Sequence, residues 1–138
     1  MEIQTFLLCK QISVGGGTGF YDASYLGIHS FYPIDGLFPM QFGVPYYMLL
    51  RRQQRDGDEA VTLRFDLVDQ DGRSVGEPVN LLASSTFPHG QRFMPLTGHI
   101  HFQFPRAGEY GLDITADEDN LPSVYRYNID VTGSSQPA

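Results

Sequence analysis

The chain has 138 residues, enough for one domain and too few for two ordinary ones. Its hydrophobic share of 41% and charged share of 18% describe a chain that folds around a core, and they argue against disorder. The net charge of −7, with Lys10 the only lysine, argues against nucleic acid and anionic membranes, both of which need a cationic surface.

In chain order, Gln4 to Lys10 is mostly apolar and reads as a strand covered on both faces. Gly15–Gly17 is a loop. Phe20 to Tyr32 reads as a long strand broken near Gly27, and Phe42 to Arg51 as the next. A proline has no N–H to give a ladder, so Pro45 marks a strand start or a sheet edge. Val61 to Leu67 alternates apolar and polar residues at period two. Asp56-Gly57-Asp58 and Asp69-Gln70-Asp71-Gly72 are hairpin turns, because Asp and Gly accept positive φ. Ser74 to Leu82 is a short strand, placed at an edge by Pro78. Ser84 to Pro95 is the longest loop. His99–Phe104, Tyr110–Thr115 and Tyr125–Val131 repeat the alternation. Residues 1–132 make the domain, and the small polar residues 133–138 a frayed tail.

Alternation gives a strand one dry face and one wet face. The four alternating strands imply a sheet with one buried side, and no amphipathic helix is available to cover it. The covering layer is therefore a second sheet. The expected fold is all-β, an antiparallel two-sheet sandwich of about seven to nine strands. The segment Phe104-Pro105-Arg106-Ala107-Gly108-Glu109-Tyr110 resembles the strand–corner–strand of immunoglobulin-like domains. That resemblance implies that Tyr110 opens a strand and bonds back to the backbone. The disulfide and core Trp of antibody domains are missing.

A second resemblance spans nearly the whole chain. Thr5-Phe6-Leu7-Leu8-Cys9-Lys10 precedes a Gly-rich turn, then Leu26-Gly27-Ile28, Asp71-Gly72 and Gly108-Glu109-Tyr110. In this order they resemble an uncharacterised family of small bacterial β-sandwich domains. It implies no activity and no catalytic residues.

Four sets of residues are candidate sites. His99 and His101, two apart on a strand, emerge from one face and could begin a zinc or iron site, with His29 or His89 as a further ligand. They equally suit the wet face of that strand. Asp56 and Asp58 in one acidic loop and Asp117 and Asp119 in another, at a shared pole, could hold Ca²⁺. Acidic residues equally suit exposed turns. For catalysis there is no Gly-x-Ser-x-Gly elbow, and Gly15–Gly19 leads into a strand instead of a phosphate-binding helix. Cys9, the single cysteine, sits among apolar residues, where thiols are inert packing groups. The fourth set is aromatic. Phe31, Tyr32, Phe38, Phe42, Tyr46 and Tyr47 crowd a Pro-rich stretch and serve either an interface or the open end of the core.

The expected function is non-catalytic: a protein-interaction or accessory module for an unidentified protein partner or for self-association. It would work through the aromatic segment or through an unpaired edge strand. The alternative is a module binding Ca²⁺ or carbohydrate at the acidic pole. A third reading is an enzyme with a His99/His101 metal centre. No cofactor, nucleic acid or membrane is expected. The opening residues lack a signal peptide, so the cytoplasm is the default location.

Overall fold

Period-two alternation, interrupted by Gly, Pro and Asp turns, sets the architecture. A computed structural model describes residues 2–14, 21–24, 27–33, 35–51, 61–83, 92–117 and 123–133. In chain order its strands are β1 (Glu2–Leu8), β2 (Gln11–Val14), β3 (Tyr21–Ser24), β4 (Ser30–Phe31) and β5 (Met40–Arg51). There follow β6 (Val61–Asp69), β7 (Val79–Ala83), β8 (Phe93–Phe104), β9 (Gly108–Asp117) and β10 (Ser123–Val131). No helix occurs among the described residues.

Eight strands form two sheets, ordered β1-β5-β8 and β4-β10-β9-β6-β7, and β2 with β3 forms a separate hairpin. Pairing is antiparallel throughout, except for the two residues of β4 that run parallel to β10. The fold is the expected all-β sandwich. Its core lies between the sheets. Phe6 stacks on Tyr46 at 5.4 Å and meets the edge of Tyr127 at 5.4 Å. Nearby, Phe31, Phe102, Phe104 and Tyr110 pack ring on ring. Each such side chain taken out of water contributes about 1.5–3 kcal/mol. Gly98 lies opposite Tyr46 in the register and makes this packing possible. A Cβ there would stand 2.7 Å from the tyrosine oxygen.

The connection from β8 to β9 crosses between the sheets in three residues, 105–107. Tyr110 closes it, donating its hydroxyl to the Arg106 carbonyl at 2.6 Å. This is the tyrosine corner that the immunoglobulin-like segment implies. At the β6–β7 turn, Gly72 takes φ 79° and the Asp69 carboxylate accepts from the Asp71 and Arg73 amides. The edge placement of Pro78 also holds, since β7 ends the five-stranded sheet.

Four expectations need correction. The alternating strands do not share one sheet: β6, β9 and β10 do, but β8 lies in the other. Alternation reports a wet and a dry face, not which sheet is joined. The stretch 20–32 is not one strand, because β3 and β4 are separate and Gly27 between them has φ +75°. Pro45 sits within the central strand of its sheet. The Cys9 amide donates to its carbonyl at 2.9 Å, so its backbone points to the tail end of β1 and the missing N–H costs one terminal bond. The long loop ends at residue 92, because β8 runs back through Pro95 to Phe93.

Candidate functional site

The strand β8 is twelve residues long and pairs only with β5 among the described residues, leaving its other edge open. The direction of its backbone groups follows from the register. Pro45 points to β1, and its partner on β8 is His99. In an antiparallel pair, residues opposite one another either bond mutually or both point away. The backbone of His99 therefore faces the open edge, as do those of Pro95, Thr97, His101 and Gln103. Pro95 is tolerated here because its absent N–H would have faced outward. From Phe93 to Phe104 there is no Asp, Glu, Lys or Arg. Edge strands are commonly protected by charge, and this one is not.

His99 and His101 project from the outer face of the β1-β5-β8 sheet, and both are exposed. The His101 ring lies over Gly43, where a Cβ would approach its Nδ1 to 2.8 Å. His29 does not join them. It donates from Nδ1 to the Asn128 carbonyl at 2.6 Å and stacks on Tyr127 at 4.2 Å. His89 lies outside the described residues. No group of three or more His, Cys, Asp and Glu side chains that could hold a metal exists among the described residues.

The aromatic segment is divided by its folding. Phe31 and Tyr46 are buried in the core, which corrects their placement on an exposed interface. Both belong to inward positions of their strands, so the packing of the two sheets claims them. Phe38 and Phe42 are half-buried against the same core. Tyr47 is half-buried on the outer face, and Tyr32 is 45% exposed. Phe31, Tyr32 and Phe42 line a cleft of about 290 Å³ together with Ile28, Val44 and Pro45. Cys9 lies at its base, fully buried. Burial pushes its thiol pKa up, so it stays protonated and packs.

Asp56, Asp58 and Asp119 lie outside the described residues, and Asp117 closes β9. The sequence reading missed Phe93 and Thr97 as members of the open edge. Their signal was present, because Met94, Leu96, Ile100, Phe102 and Phe104 keep period two across Pro95. It also missed Val79 and Leu81. They lie opposite the inward residues Phe65 and Leu63, yet are 53% and 39% exposed. The inner face of the five-stranded sheet thus stays open at its β7 edge.

No family model matches the chain, and no curated protein matches it. The chain spans about a quarter (24%) of the length of a solved structure it resembles. That structure is a family 123 glycoside hydrolase from Clostridium perfringens, similar over 83% of this chain at 13% identity and a TM-score of 0.36.

Proposed function

We propose that this domain is a non-catalytic interaction module that works by strand addition at the open edge of β8. The observation that supports this is a long edge strand with outward backbone groups and no charged residue. Main-chain hydrogen bonds supply affinity in such pairing, and alternate side chains supply selectivity. Cys9 is fully buried, which withdraws this thiol from solvent as a nucleophile. A single buried thiol is compatible with a reducing compartment, and we propose the cytoplasm as the location.

The test uses Thr97→Lys, which places a charge on the exposed edge and leaves the core untouched. The tagged wild-type and variant domains are each exposed to extract of the source cells, and retained proteins are identified by mass spectrometry. A partner held by the wild type and lost by the variant supports the edge. A partner held equally by both moves the interface elsewhere.

A further inference from the structure

We propose that β8 pairs with β8 of a second copy around a two-fold axis at Ile100, and that the four histidines so assembled bind a divalent transition metal such as Zn²⁺. This rests on the strand-addition reading and names its occupant.

The register is written into the edge. Its outward residues between Pro95 and Pro105 are Thr97, His99, His101 and Gln103, and each of the four has an N–H. Ile100 is midway between the two prolines and midway between the outermost donors. A two-fold axis there sets Thr97 opposite Gln103 of the second copy, and His99 opposite His101 of the second copy. Each of those pairs exchanges both of its hydrogen bonds, so all four donors are used. The prolines, which have no donor to offer, then stand opposite one another. Moving the register by two residues sets a proline against a residue with an N–H and carbonyl and loses a bond. A dimer by this route is isologous and closed, since the same edge is used once in each copy.

Charge permits the approach. The chain carries a net −7, and two copies would repel through most surfaces. The segment from Phe93 to Phe104 holds no ionised Asp, Glu, Lys or Arg and is where like charges do not meet.

The metal site follows from the pairing. Among the described residues, one chain brings only His99 and His101 to this edge, which is half of a tetrahedral set. Within a strand these two are about 7 Å apart on one face. Across the axis, directly opposed residues have Cβ atoms about 5.5 Å apart. Four imidazoles at the corners of that rectangle can turn inward to a metal at about 2.0–2.1 Å. The His101 ring, which lies over Gly43 in the single chain, must turn toward the edge. Exposed side chains change rotamer in picoseconds to nanoseconds.

The test is sedimentation velocity of the purified full chain, with added Zn²⁺ and with EDTA. The expected result is a dimer with Zn²⁺, holding one metal per two chains, and dimerisation weaker by about tenfold or more in EDTA. His99→Asn/His101→Asn should abolish the response to metal, and Thr97→Lys should abolish the dimer in both conditions. All three residues are exposed, so melting curves taken in EDTA on dilute chain, where the wild type is monomeric, should match the wild type. A wild-type chain that stays monomeric with Zn²⁺ overturns the proposal, as does a metal-driven dimer that persists in the double variant. If the chain stays monomeric while Thr97→Lys still loses a captured partner, the self-pairing is wrong and the strand-addition reading stands. If Thr97→Lys changes neither capture nor assembly, both fail.

Discussion

The outer faces of the two sheets differ in kind. The five-stranded sheet shows water Arg64, Asp66, Glu109, Asp113, Arg126 and Asp130. Arg126 and Asp113, opposite one another on β10 and β9, join in a two-point ion pair with contacts of 2.6 and 2.8 Å. The three-stranded sheet is charged at one end only, where Glu2 and Arg51 stand 3.9 Å apart. Elsewhere its outer face carries Leu7, Tyr47, Leu49, Pro95, Thr97, His99 and His101. A fully wetted face gains solubility from charge, as the first sheet does. A face that leaves charge out, in a chain this acidic, is where the proposed contact would meet the least repulsion.

The comparison can be broken or sharpened by experiment. The largest effect should come from the core shared by both sheets. Phe104→Ala empties a fully buried ring site beneath both faces and should cost about 3–5 kcal/mol in denaturant unfolding. A loss under about 1 kcal/mol would mean that the sheets pack differently.

Alkali should act next. Burial pushes the Tyr127 hydroxyl up to about 12, well above the usual value of about 10 for tyrosine. The folded state therefore holds its proton more tightly than the unfolded state. Stability is fully present below about pH 10 and falls as pH rises toward 12, because the unfolded chain ionises first. Tyr127→Phe should flatten that fall in melting curves taken across this range, at the cost of its bond to the Ile28 carbonyl.

Smaller effects separate the two outer faces. Arg126→Ala should cost about 0.5–1 kcal/mol, and the loss should shrink as salt is added. His99→Asn should change stability by less than about 0.5 kcal/mol at any salt concentration, in the absence of metal. Equal salt dependence in the two variants would erase the distinction between the faces. The least effect on stability belongs to Gly43→Ala, within about 0.5 kcal/mol, because the exposed His101 ring can move off the new methyl. Since that motion turns the ring from β5, the variant should tighten Zn²⁺-dependent dimerisation. Weaker dimerisation would show that His101 needs its place over Gly43.

Much of the fold is legible in the sequence because alternation survives wherever one face is dry. The strands β6, β9 and β10 emerge nearly complete from it, and Tyr110 reveals its corner from the residues before it. Strand β8 is only half legible, since Pro95 looks like a breaker until the direction of its backbone is known. Sheet membership is not legible, because a buried Ile on β8 and one on β9 obey the same local rule. The aromatic segment is ambiguous for a related reason. Phe31 closes β4 and is buried while Tyr32, the next residue, is exposed, and composition cannot say which of them is outside. His99 and His101 are plain as a pair, but their meaning depends on which edge of β8 is open, and that is a property of the assembled sheet.

The short corner between β8 and β9 has a consequence for the order of folding. The other described crossings between the sheets pass through at least eight residues, and this one passes through three. Closing the shortest loop costs the least chain entropy. The rings of Phe104 and Tyr110, 5.0 Å apart, are then the first pair of residues from opposite sheets to meet. We therefore expect docking to begin at this corner and spread outward, so that Tyr110→Phe should slow refolding more than it hastens unfolding.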